Sequence, residues 1–425
     1  MYCIMSIKAK NTILLFVIIL LDISNAYAQS ALNHNGIYKT GDNGEMTIIA
    51  PFGTQRALFF SDGTVFGLKV ARDGFTIGKT AGNTDESIGQ ISFTIANEKT
   101  VLHIKYHDGT ELVGEKTKLL EKRIEFNNGK QKLVGELILP PGNAPFPIVV
   151  QTHGSGVETR EASRGMAYLF AANGIASFIF DKRGCGESTG KEWHAAFDEY
   201  AHDLLAGVEA ISTMPEINSR KIGLYGHSQG GWVVPLAYSL KPDKFSFCIL
   251  SAANAVTPVE ENLYAGDEEI RLLGYDEMTL KEIHHFRKIK YDVGISGKGL
   301  KEYKNSILPE AEKKPWFKLT GGNLPDNIFW KENGYYDAQA ALKSITCPVL
   351  VLYAEHDIST DSKTNMPLMQ KWIPSDQVTI KLFEKANHAM LKVERKDFSS
   401  KQMPFIKQFA DGYKETIVGW LNKIL

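Results

Sequence analysis

The spacing of apolar and polar positions changes character several times along the chain. Residues 13–21 form an unbroken apolar run closed by Asp22. From about 35 to 120 the pattern is one of short β-rich pieces, among them Met46–Ile49, Val65–Val70 and Val101–Tyr106. The turn signals Asp42-Asn43-Gly44, Ser61-Asp62-Gly63, Arg72-Asp73-Gly74 and His107-Asp108-Gly109 separate them. Short strands at such intervals, with no long helical pattern, predict a small antiparallel sandwich or barrel. Lys122–Asn127 and Lys132–Leu139 then flank Asn128-Gly129, a dipeptide that favours a hairpin turn.

Beyond Pro140-Pro141-Gly142, strands and helices alternate. Phe146–Thr152, Ala176–Asp181, Lys221–Gly226 and Phe245–Ser251 are apolar runs, with helical stretches near 161–173, 195–213 and after Ser228. Apolar strands separated by amphipathic helices predict an α/β architecture, a mostly parallel sheet flanked by helices. A charged, helix-patterned segment at about 255–345 interrupts the rhythm, which resumes at Cys347–Ala354 and Val378–Phe383. That segment is expected to form a cap or lid. Phe405, Phe409, Ile417 and Trp420-Leu421 predict a final helix over about 403–424. The resulting division is a targeting segment at 1–28, a β-rich domain at 29–120 and an α/β domain at 121–425 that carries the cap.

A chain of 425 residues suits two units and a substantial core. Net charge is −1 with no run of like charge, which argues against a nucleic-acid partner. Lys8 and Lys10 before the apolar run, and Ala26-Tyr27-Ala28 after it, make the pattern of an export signal cut before Gln29. The run is too short to span a bilayer comfortably, although an uncleaved anchor helix is the other reading. An exported protein, periplasmic or secreted, is therefore expected, with no membrane span after cleavage. Cys185, Cys248 and Cys347 would remain; their number is odd and no pair has metal-ligand spacing. They read as small buried hydrophobes.

The chemistry centres on Gly226-His227-Ser228-Gln229-Gly230-Gly231, between a strand and a helix. A serine on a sharp strand-to-helix turn presents its hydroxyl above the strand ends, and small neighbours make room for that turn. A serine between glycines can also be a plain turn, but the strand–turn–helix context favours a nucleophile. His388 follows the last strand and is the candidate base; alone it would read as a loop histidine. Asp357, past the end of Val349–Tyr353, is the candidate acid, ahead of Glu355 and Asp361. His356 beside it reads as loop structure. The chain order Ser, Asp, His is one of the orders in which such triads occur. Oxyanion donors are expected from the main-chain N–H of Gln229 and of Ser155 in His153-Gly154-Ser155-Gly156, with Gly154 as the next choice. Asp181-Lys182-Arg183-Gly184-Cys185-Gly186-Glu187-Ser188 lacks a phosphate-loop ending and reads as a structural loop. His284-His285 is a poor metal pair, since adjacent helical residues point about 100° apart. No metal and no cofactor is expected.

These motifs, in this order, resemble the α/β-hydrolase superfamily, and within it the bacterial esterase and serine-aminopeptidase-like branch. The resemblance covers roughly residues 121–425. It implies an active site at the C-terminal ends of the strands beneath a cap, in which Ser228, His388 and Asp357 cleave an acyl bond. A carboxylesterase acting on small or medium acyl esters is the first expectation. A serine aminopeptidase-like peptidase or an acyl-thioester hydrolase is the alternative, and an inert hydrolase fold whose β domain binds a partner is the non-enzymatic one. Residues 29–120 are too few for a propeller, whose four blades would need roughly 40 residues each. The oligomeric state is not legible.

Overall fold

The computed structural model describes residues 34–41, 45–53, 55–191 and 195–425; the export signal expected over 1–28 lies outside the described residues. Eight strands come first: β1 Gly36–Thr40, β2 Glu45–Phe52, β3 Gln55–Phe60, β4 Val65–Ala71, β5 Gly74–Gly78, β6 Ser87–Ala96, β7 Lys99–Tyr106 and β8 Glu111–Lys116. Each pairs antiparallel with the next, and β8 returns to β1 with Lys116 opposite Tyr38. Of sandwich and barrel, the chain thus forms the closed barrel, which leaves no free edge. Successive side chains on a strand point to opposite faces. Tyr38, Ile49 and Leu58 fill the barrel with Phe75, Ile91 and Leu102. Their neighbours Ile37, Ile48 and Ala57 belong to a second cluster outside it. That second face is what docks the barrel onto the rest of the chain.

The second sheet comprises β9 Leu120–Asn128, β10 Gln131–Leu139, β11 Phe146–Thr152, β12 Ala176–Phe180, β13 Ile217–His227, β14 Phe247–Ser251, β15 Val349–Ala354 and β16 Val378–Phe383. Their order is β16-β15-β14-β13-β11-β12-β10-β9, and β10 alone among them runs antiparallel to both neighbours. β12, β14 and β15 are buried along their whole length because helices cover both faces. Helices α1 Arg164–Ala172, α2 Phe197–Ser212 and α3 Gly230–Leu240 follow β11, β12 and β13. The cap inserted after β14 holds α4 Pro258–Leu272, α5 Glu277–Ser296, α6 Ile328–Asn333 and α7 Gln339–Lys343 among shorter turns. Its own core gathers Leu280, Ile283, Phe286 and Trp316. Thr257 and Glu260 cap α4 reciprocally, which fixes where the insertion leaves the sheet. α8 Ser362–Trp372 and α9 Tyr413–Ile424 complete the domain. Phe197, Trp232 and Met369 place α2, α3 and α8 on one face; Phe170, Ile417 and Leu421 place α1 and α9 on the other. Among the described residues no helix is long and apolar enough to cross a membrane.

Two local expectations need correction. The final helix starts at Tyr413, not near 403. Pro404 sits in a short turn, and residues 406–409 run along the barrel: the Val65 N–H donates to the Lys407 carbonyl at 2.7 Å and Ala81 N–H to that of Ile406 at 2.7 Å. Phe409, which fitted a helical spacing, instead stacks on Phe59 of β3 at 5.9 Å. The hairpin loop after β9 is Gly129-Lys130, one residue later than the dipeptide suggested, because Asn128 pairs with Gln131. A two-residue loop opening on Gly129 at φ 57° suits the strand twist there.

Candidate active site

Ser228 leaves the end of β13 at φ 54°, a left-handed conformation that costs a non-glycine residue roughly 1–3 kcal/mol. The turn survives because its surroundings determine it. The Ser228 N–H donates to the Ser251 carbonyl at 3.0 Å and its carbonyl accepts from Gly231 at 2.8 Å. A Cβ on Gly226 would lie 2.3 Å from the Gly230 oxygen, and one on Gly231 2.3 Å from the Ala253 Cβ. Only glycine lets strand and helix approach that closely. Ser228 is half-buried, and α3 begins two residues later, so the positive end of that helix lies beside it.

Asp357 and His388 arrive from the loops after β15 and β16. Asp357 is buried at 1% exposure. Its Oδ1 accepts the N–H groups of Ser359 at 2.7 Å and Thr360 at 2.9 Å, and its Oδ2 faces His388 Nδ1 at 2.8 Å. The carboxylate is thus oriented by main chain before it orients the ring. Asn387 holds the histidine loop by accepting from Ala389 and Leu391, both at 3.1 Å. The rival acids are used elsewhere: Glu355 accepts the Lys385 N–H, and Asp361 caps α8. The His388 ring packs against that of His227, the residue before Ser228, with centroids 4.9 Å apart. Among the described residues no hydrogen bond joins the Ser228 hydroxyl to His388. Such contacts commonly tighten only when substrate is seated.

The electrostatics favour one chargeable ring. Burial, the largest influence, disfavours the imidazolium of His388, but the charge and hydrogen bond of Asp357 together with the charges of Glu261 and Glu158 outweigh it, and the net effect raises its pKa above the ordinary value. Burial, reinforced by His388, pushes His227 down to about 3. His227 therefore stays neutral while its neighbour titrates.

The Gln229 and Ser155 N–H groups, in neither helix nor strand, donate to no protein acceptor among the described residues. The Gly154 N–H, the other donor considered, is taken by Glu158 Oε2 at 2.8 Å. Sequence reasoning missed what holds this loop. Lys182 Nζ donates to the carbonyl of Gly154 at 2.7 Å, that of Gly156 at 3.3 Å, and Gln229 Oε1 at 2.7 Å. One buried ammonium thereby ties together both segments that present free N–H groups. Its neighbours behave as the structural loop expected: Asp181 accepts from the Arg160 guanidinium at 2.6 Å, and Arg183 Nε donates to Asp203 at 2.7 Å. Two carboxylates also act on His388. Glu158 is pushed up chiefly by burial. Glu261, on α4 of the cap, is pushed up to about 7 by burial, against the attraction of His388 and with the repulsion of Asp357. The cap also touches the site through the Tyr264 hydroxyl, which donates to the Asp357 carbonyl at 3.1 Å.

The family described as "Serine aminopeptidase, S33" matches residues 143–267. The chain is similar to the esterase EstD of Thermotoga maritima, 23% identical over 284 residues, 65% of this chain and 61% of that esterase. The match thus spans about three fifths of that relative's length. It is similar to the monoglyceride lipase of Saccharomyces cerevisiae, 24% identical over 318 residues, 69% of this chain and 94% of the lipase. Among solved structures, an esterase of Pyrococcus furiosus shares 16% identity and a TM-score of 0.45, over 72% of this chain and 91% of that one.

Proposed function

This chain belongs to the α/β-hydrolase superfamily, and from that premise we propose that it is a serine carboxylesterase in which Ser228, His388 and Asp357 cleave small or medium acyl esters. One observation carries the reading: Asp357, oriented by two main-chain N–H groups, holds His388 at 2.8 Å, and that ring lies against the residue preceding a strained serine. In this reading Asp357 fixes the proton on His388 Nδ1, which leaves Nε2 free to accept the proton of Ser228. The serine oxygen attacks the ester carbonyl, and the N–H groups of Gln229 and Ser155 stabilise the oxyanion. Losing one such donor typically costs about 3–4 kcal/mol in the transition state. His388 then protonates the leaving alcohol, and water hydrolyses the acyl-enzyme with the same imidazole as base. The chemistry calls on no cofactor. The pattern at residues 8–28 supports export to the periplasm or beyond as part of the same proposal.

A series of nitrophenyl esters tests the activity: turnover of the acetate and butyrate is expected, and no turnover of any ester would refute it. The pH profile tests the base. His388 works only when neutral and its pKa is raised, so kcat/KM should fall as pH drops through a value above the 6.5 of an ordinary imidazole. A rate that stays flat from pH 8 to 5 would remove His388 from this role.

A peptidase reading is favoured by the description of the matching family and by Glu261, a half-buried cap carboxylate beside the site that could hold a free amine. Comparing an aminoacyl anilide with its N-blocked form separates the two. The esterase reading predicts negligible cleavage of both; cleavage that depends on the free amine would favour the peptidase.

A further inference from the structure

A cavity of about 420 Å3 lies between the barrel and the α/β domain, within the range of roughly 300–1,000 Å3 usual for small-molecule sites. Both domains wall it. β2 and β3 supply Met46, Phe52 and Phe59, and α1 supplies Met166 and Leu169. Met46 and Phe52 are only half-buried, unlike Ala50 and Ala57, where the same strands dock firmly. The lining also includes Gly154, His227 and Ala389. Each is the chain neighbour of a group assigned above to the reaction: Ser155, Ser228 and His388. Among the described residues none of the lining comes from the cap.

We propose that this cavity receives the acyl chain of the substrate ester, so that the N-terminal barrel forms one wall of the acyl-binding site and sets the chain length accepted. The inference rests on the Ser228 reading, because what sets the cavity against the site of acyl transfer is that the chain neighbours of the reacting groups line it. It gives residues 36–116 a role in specificity and assigns the substrate an apolar acyl group.

Steady-state kinetics on nitrophenyl esters from acetate to decanoate test it, together with calorimetric titration of 1-octanol as a neutral chain that is not turned over. In the wild type kcat/KM should rise roughly fourfold per methylene until the cavity is full. Met46→Trp, which fills the barrel side, should lower kcat/KM for the octanoate about tenfold or more and leave the acetate within about twofold. Leu169→Trp narrows the cavity from α1 and should act alike, which guards against a misfolded barrel variant. Wild-type protein should bind 1-octanol and Met46→Trp should not. Parallel chain-length profiles in all three proteins, or octanol binding that both variants keep, would overturn the cavity assignment while leaving acetate hydrolysis intact. Loss of octanol binding in the variants, in a protein that hydrolyses no ester, would instead uphold the cavity as a binding site and bring down the Ser228 reading.

Discussion

Replacing Ser228 with alanine is expected to lower kcat for ester hydrolysis by roughly a million-fold, the scale seen when a triad serine is removed. KM should change little, because the hydroxyl acts in the transition state and contributes little to holding the ester. The fold should tolerate the change. Alanine meets the same backbone penalty at φ 54° as serine, and the main-chain hydrogen bonds that hold the turn, Ser228 N–H to Ser251 O and Gly231 N–H to Ser228 O, do not involve the side chain. A residual rate above that in water should persist, since the free N–H groups of Gln229 and Ser155 remain. Thermal unfolding of the variant alongside its kinetics separates loss of chemistry from loss of structure.

Asp357→Asn should cost roughly ten-thousand-fold in kcat. The geometry explains why an isosteric change is so severe. Two main-chain N–H groups, of Ser359 and Thr360, demand an acceptor at the Oδ1 position. The amide must therefore turn its oxygen toward them and its NH2 toward His388 Nδ1. The ring then has to accept at Nδ1 and carry its proton on Nε2, where it cannot take one from the serine. The same substitution removes the strongest attraction on the imidazolium, so the residual activity should have its acid limb at lower pH than the wild type. An Asp357→Asn protein with near wild-type rate and an unmoved acid limb would show that Asp357 does not orient the base.

Much of this architecture is written in local pattern. β11 and β16 fall where their apolar and β-branched residues begin and end, since the periodicity of a strand is carried by the strand itself. The serine turn is legible for a similar reason: only small residues fit at Gly226 and Gly231, and that need appears directly as sequence. What escaped depends on tertiary approach. Lys182 looks like any lysine at a strand end, and the acceptors named above lie 26 to 47 positions away. Glu158 and Glu261 gain their character from burial, which no neighbouring residue announces. The terminal segment misled for the opposite reason. Phe405 and Phe409 stand at helical spacing, yet Phe405 is exposed and Phe409 belongs to the barrel interface, where residues 406–409 find main-chain partners. The choice between sandwich and barrel could not be read from eight similar strands, because closure rests on the single long-range pairing of β8 with β1.

The nucleophile can be marked directly. A fluorophosphonate should attach covalently once per molecule, peptide mapping should find it on Ser228, and the labelling rate should fall as His388 gains its proton. Ser228→Ala should take up none. An unreacted wild-type protein, or a label that persists in Ser228→Ala, would contradict the assignment of this serine as the attacking group.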